Sequence, residues 1–207
     1  MKVYEYGELS SPISLIQCVD EHDFSSLESE ISLIKKLTDR DFSLTAFMTE
    51  DWNRDLSPWK APPVFGKEGF GGEAEKTLKE ILEYCSNPDK TYIIGGYSLS
   101  ALFSLWASCK TDVFKGTASA SPSVWFPGFI TFLKENPVKS RSVYLSLGDR
   151  EEKTRNPVMA TVGDCIRSCS DIFRQSGITT TLEWNPGNHF QNAPERTARA
   201  FSWVLNN

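Results

Sequence analysis

Apolar and polar positions along the chain fall into two alternating patterns. Short apolar runs of strand character occupy Val3–Tyr6, Ile13–Val19, Phe42–Met48, Tyr92–Ile94, Gly116–Ala120, Val143–Leu147 and Thr179–Trp184. Between most of them, apolar residues recur at helical spacing. Phe24, Leu27, Ile31 and Ile34 stand behind a Ser25/Glu28 capping pair, and Ala74, Leu78, Ile81, Leu82 and Cys85 form a second stripe. Leu99, Leu102, Phe103 and Trp106 form a third; Val158, Val162, Cys165, Cys169 and Ile172 form a fourth, opened by Asn156 as cap and Pro157 in the first turn. A last helix runs from Pro194 to Leu205. This alternation predicts an α/β fold, a mostly parallel sheet with helices on both faces, whose functional residues gather at the carboxyl ends of the strands.

No repeat, low-complexity tract or Gly/Ser linker interrupts the pattern, and 207 residues at about 150 per domain predict a single compact domain, 1–207, without room for a large lid. The longest irregular stretch runs from Glu50 to Gly72 and carries Trp52, Trp59, Phe65 and Phe70. A loop of that length inside a compact unit is usually functional. Its aromatic residues could wall a pocket, or pack as a cap over helix ends.

Composition narrows the function. Twenty-two basic residues against 27 acidic ones leave a net charge of −5, which argues against nucleic acid as a partner because no basic surface is expected to neutralise a phosphate backbone. No window approaches the roughly 18 uninterrupted apolar residues of a membrane span, and the first residues lack the basic-then-apolar order of a signal peptide, so no membrane association and a cytoplasmic location are expected. The five cysteines, Cys18, Cys85, Cys109, Cys165 and Cys169, show no CxxC spacing or paired framework. Cys165 and Cys169 stand one helical turn apart, but on an apolar stripe without a histidine nearby, so buried thiols are expected there and no metal. Only His22 and His189 could serve as an imidazole base.

The strand ending at Ile94 runs into Gly95, Gly96, Tyr97, Ser98, Leu99, Ser100 and Ala101, and then directly into a helix. A serine held in a sharp strand-to-helix turn needs small residues two positions before and after it, and Gly96 and Ser100 meet that need. Ser98 therefore reads as a nucleophile at a helix N-terminus that favours developing negative charge; as a structural residue it would be a helix cap. A serine hydroxyl needs a base to take its proton. His189 follows the last strand through the turn-rich Asn185, Pro186, Gly187 and Asn188, at the point expected for the chain order serine, acid, histidine. His22 precedes the serine amid Asp20, Glu21 and Asp23 and reads as a capping or structural residue. The acid belongs beyond Val143–Leu147, where Asp149, Glu151 and Glu152 all qualify. Placement past the glycine turn favours Glu151, with Asp149 as runner-up. For the oxyanion, the backbone N–H of Leu99 is one donor; Asp20 or Glu21 is the expected second, with the Trp52/Asn53 loop as rival.

These residues resemble an esterase family of the α/β-hydrolases that includes esterase D, the mycolyltransferase antigen 85 proteins and enterobactin-type siderophore esterases. Arg54–Pro58 looks like its RDLTP segment, Gly95–Leu102 like its nucleophile region, Ser119–Trp125 like its SPSlWW segment and Gly148–Glu151 like its G-x-x-E stretch. The departures are Ser100 and Ala101, where that family usually has two glycines. The resemblance implies Ser98 as nucleophile, His189 as base, a carboxylate at Glu151 and Trp125 close to the acyl pocket. The resulting expectation is a serine esterase without cofactor or metal, acting on a small-molecule ester through an acyl-serine intermediate, with Trp52, Asn53, Tyr97 and Trp125 as substrate-binding residues. Two alternatives stand beside it: a non-catalytic binding protein on the same fold, supported by Ser100 at the turn, and an acyltransferase using the same nucleophile. Substrate identity and oligomeric state are not written in the sequence.

Overall fold

A computed structural model describes residues 1–207. The chain runs β1 (Lys2–Gly7), β2 (Ile13–Val19), α1 (Glu21–Leu37), β3 (Ser43–Met48), α2 (Trp52–Asp55), β4 (Lys60–Ala61), β5 (Phe70–Gly71), α3 (Ala74–Tyr84), β6 (Thr91–Tyr97) and α4 (Ser98–Lys110). It continues through β7 (Phe114–Ala120), α5 (Phe129–Glu135), β8 (Ser142–Gly148), α6 (Val162–Gln175), β9 (Thr179–Asn185) and α7 (Ala193–Leu205). Seven strands form one sheet in the order β1-β3-β2-β6-β7-β8-β9. Every pairing is parallel except β1 against β3, so the carboxyl ends of β2, β6, β7, β8 and β9 face one side. The apolar stripes pack on both faces: α3, α4, α5 and α6 supply one buried cluster with Leu78, Leu102, Phe129 and Ile166, while α1 and α7 supply the other with Leu27 and Phe201.

Some boundaries differ from the sequence reading. Helix α1 starts at Glu21, with Asp20 as its cap accepting from the Asp23 N–H at 2.8 Å. Ser25 and Glu28 therefore lie inside the helix, and the Ser25 hydroxyl donates back to the His22 carbonyl; an aspartate directly after β2 captures the orphan N–H earlier. Asn156 caps a short 3-10 turn, Met159–Thr161, by accepting from the N–H groups of Val158 and Met159, and α6 opens only afterwards. Helix α5 is a seven-residue element that the periodicity did not reveal. The stretch from Glu50 to Gly72 contains α2 and the paired β4 and β5. Its aromatic residues divide between the two expected roles: the Trp59 indole donates to Pro127 O at 3.0 Å and Phe70 is buried against Phe126, whereas Phe65 is 46% exposed with its ring edge-on to Trp125.

Candidate active site

Ser98 sits where β6 passes into α4 and takes a φ of +57°, a left-handed conformation uncommon for a residue with a side chain and characteristic of functional turns. The turn depends on Gly96, where a Cβ would collide with the Ser100 side chain. Ser100 is fully buried, and its hydroxyl donates to the Cys18 carbonyl of β2 at 2.8 Å. The extra atoms relative to glycine are thus absorbed by a hydrogen bond that fastens the turn to the adjacent strand.

The β9–α7 connection carries His189 to the same end of the sheet. Its Nε2 lies 2.9 Å from Ser98 Oγ, and its Nδ1 lies 2.7 Å from Glu151 Oε2. Of the three candidate carboxylates, only Glu151 is buried and meets the imidazole. Asp149 is exposed and accepts from the Gly187 N–H at 2.9 Å, bracing the histidine loop; Glu152 pairs with Arg167 at 3.2 Å. His22 lies in the exposed first turn of α1 and bonds to neither Ser98 nor a carboxylate.

Glu151 is heavily solvated by protein groups. Oε1 accepts from the Gly148 N–H at 2.7 Å, the Ser121 hydroxyl at 2.8 Å and Arg196 Nη1 at 2.9 Å. Burial alone would raise its pKa, but the His189 hydrogen bond and charge and the bonds from Gly148 and Ser121 outweigh it and hold the carboxyl below the ordinary range. Gly148 is required here because a Cβ would press on Gly187 O and Glu151 Oε1.

Three residues to which the sequence reading gives no role in the site complete the cluster, two of them, Ser121 and Ser123, within the Ser119–Trp125 segment. Arg196 of α7 is 2% exposed, and besides Glu151 its Nη1 donates to the Tyr97 hydroxyl at 3.1 Å and Ser121 Oγ at 3.2 Å, while Nη2 donates to Pro186 O at 3.1 Å. Ser121 holds a φ of +44° and bridges Arg196 to Glu151. Ser123 donates its N–H to Ser98 O at 3.1 Å and brings its hydroxyl to 3.4 Å from Ser98 Oγ. A signal for Arg196 existed: it lies in register with Ala200 and Val204 on the buried face of the last helix.

Beside His189 lies a cleft of about 390 Å³, walled by Trp125, Met159, Val162 and Phe190 and edged by Arg150 and Lys153. Neither cation enters a salt bridge. Phe190 is 88% exposed and meets the His189 ring edge-on at 5.5 Å between centroids. Of the expected substrate-binding residues, only Trp125 lines this cleft. Trp52 instead borders a second depression with Asp20, Glu21 and Thr49, because α2 carries it toward the ends of β2 and β3. Asn53 uses its carbonyl to hold the Ser57 hydroxyl. Tyr97 lies behind the imidazole, its hydroxyl donating to His189 O at 2.8 Å; burial, and next the Glu151 charge, push its pKa up to about 12.

No protein-family model matches this chain, and no curated protein matches it in sequence. Solved structures do. The siderophore hydrolase EstA from Aspergillus nidulans superposes with a TM-score of 0.69 at 17% identity, over 97% of this chain and 85% of that one. An IroE-like serine hydrolase from Shewanella oneidensis gives 0.74 at 14% identity, over 95% and 72%. The enterobactin esterase Fes from Shigella flexneri gives 0.67 at 13% identity, over 99% and 55%. The fold is that of the α/β-hydrolases. In this α/β-hydrolase fold, Leu99 stands in the first turn of α4, where N–H groups lack intrahelical partners. Asp20 directly follows β2, the strand beside β6, so its peptide is at the same sheet end as Ser98.

Proposed function

We propose that the protein is a serine esterase that hydrolyses a small carboxylic ester through an acyl-Ser98 intermediate. The observation that carries the reading is the unbroken relay from Ser98 Oγ through His189 to Glu151, at 2.9 and 2.7 Å, with the serine at a left-handed turn. Neighbours whose descriptions are siderophore hydrolase, serine hydrolase and enterobactin esterase support an ester as the substrate.

On this reading, Glu151 accepts from His189 Nδ1 and so fixes the tautomer that leaves Nε2 free as base. His189 takes the Ser98 proton as Oγ attacks the ester carbonyl. Negative charge developing on the carbonyl oxygen is met by the Leu99 N–H at the positive end of α4 and by the Asp20 N–H. Collapse of the tetrahedral intermediate expels the alcohol, which receives the proton from His189. Water, deprotonated by the same imidazole, then attacks the acyl-serine, and the acid leaves as Ser98 is reprotonated. The aromatic walls Trp125 and Phe190 suit an ester with an apolar or aromatic part, and Arg150 and Lys153 suit an anionic group at its periphery. Ser100, the residue that favours a binding protein without chemistry, spends its hydroxyl on Cys18 O and does not crowd the turn.

The test is turnover of a p-nitrophenyl ester by the parent and by Ser98→Ala. The proposal expects a loss of roughly 10⁴-fold or more with the melting temperature retained. Equal turnover in the two proteins would refute it.

A further inference from the structure

We infer that Arg196 is a positioning residue for the triad, a buried cation that clamps Glu151 to the loop carrying His189 and opposes protonation of the imidazole–carboxylate pair. The inference rests on the proposed hydrolysis for its kinetic reading but is carried by different observations. One guanidinium reaches four acceptors: Glu151 Oε1, Ser121 Oγ, the Tyr97 hydroxyl and Pro186 O. Two of these lead to the histidine, since Pro186 belongs to its loop and the Tyr97 hydroxyl donates to the His189 carbonyl. The acid and the base are therefore positioned by the same rigid fork. An ion at 2% exposure is costly to bury unless fully paired, and α7 would be simpler with an apolar residue here. Its Nε has no partner, so all of its hydrogen bonds leave from Nη1 and Nη2, toward Glu151, Ser121, Tyr97 and Pro186.

Glu151 is shared between Arg196 and His189. A proton added to the imidazole–carboxylate pair places a second positive charge beside the guanidinium, so Arg196 lowers the pair's proton affinity. The other groups facing His189 are Ser98, the Tyr97 ring, Phe190 and, along the cleft, Arg150 and Lys153; Asp149 lies behind through Gly187. All of these stay in place when Arg196 alone is changed.

The test compares the parent with Arg196→Met, which keeps volume and loses charge, and Arg196→Lys, which keeps charge and loses the fork. The chain holds only two histidines, so the His189 ring can be followed by NMR through a pH titration without any turnover. The expected result for Arg196→Met is a titration midpoint raised by on the order of one pH unit, with the acid limb of kcat/KM moving by the same amount. For Arg196→Lys, the midpoint stays within a few tenths of the parent while kcat falls and KM holds. A midpoint unmoved in Arg196→Met overturns the inference. Should that variant not fold, a midpoint displaced by a unit in Arg196→Lys, or an unchanged kcat, overturns it equally. A midpoint that moves as expected in Arg196→Met, alongside a parent that hydrolyses no ester, would refute the proposed function and leave the clamp standing.

Discussion

Replacing Glu151 by glutamine separates the triad reading from a serine–histidine dyad. The carboxylate makes four hydrogen bonds, three at Oε1 and one at Oε2. An amide must place its NH₂ at one of the two positions. At Oε1 it would confront two N–H donors, from Gly148 and Arg196; at Oε2 it meets His189 Nδ1, which must then accept. The second arrangement is favoured, and it forces the imidazole proton onto Nε2, facing Ser98 Oγ, so the base is lost. An equivalent tautomer error in a serine triad costs about 10⁴-fold in kcat, or about 5.5 kcal/mol at 1.36 kcal/mol per decade. The substitution also strands Arg196 as a buried cation without its carboxylate, a loss of about 3–5 kcal/mol. For a chain of this size that corresponds to a melting temperature lower by roughly 6–20 °C. The assay is aryl-ester hydrolysis alongside thermal unfolding, with Asp149→Asn and Glu152→Gln as comparators expected to stay within a few-fold of the parent. A Glu151→Gln protein within tenfold of the parent in kcat, melting at the parent temperature, would refute both steps of the reasoning.

Further expectations follow from individual contacts. Ser100→Ala removes the bond to Cys18 O and should cost about 1 kcal/mol, read as a small drop in melting temperature; an unchanged value would show that the turn does not need this tether. Phe190→Ala deletes a side chain that is 88% exposed and so should leave stability unaltered while raising KM for aryl esters several-fold. An unchanged KM would remove Phe190 from the cleft's working surface. Glu30 is buried, with its pKa raised well above the ordinary value by desolvation and next by Asp23. A carboxyl whose folded pKa is raised loses stabilisation as pH climbs above its unfolded value, so Glu30→Gln should raise the melting temperature more at pH 8 than at pH 4. Equal changes at the two values would contradict a raised Glu30 pKa. The depressed pKa of Glu151 has the opposite sign, its contribution vanishing as pH falls through the folded value, so the parent should lose more stability on acidification than Glu151→Gln.

The seven sheet strands were legible because each is a short apolar run bounded by turn residues, and a parallel sheet buries both faces of its inner strands. The small pair of β4 and β5 and the seven-residue α5 were not, since elements so short show less than two periods of any pattern. Ser98 and His189 stood out from local chemistry: a small-residue turn between strand and helix, and a scarce histidine after the last strand. Among Asp149, Glu151 and Glu152, three acids in four positions, sequence could favour but not separate, because what separates them is burial and which way the 3-10 turn Glu151–Lys153 points each one. The long, aromatic loop points Trp52 and Asn53 at the substrate, yet which cleft a loop borders depends on packing that spacing does not encode. Arg196 is hidden in the sequence for a related reason. A charged residue in a terminal helix reads as solvated surface, and only its register with Ala200 and Val204 placed it inward.

Hydrolysis as proposed requires that Ser98 Oγ become covalently acylated. Reaction of the parent with a p-nitrophenyl ester, quenched in acid during the first turnover and digested for mass spectrometry, reads this directly. The expected result is the acyl mass on the peptide containing Ser98, and its disappearance in Ser98→Ala and His189→Gln. Acylation at another residue, or ester turnover without any covalent adduct under conditions that trap a fluorophosphonate on Ser98, would contradict it.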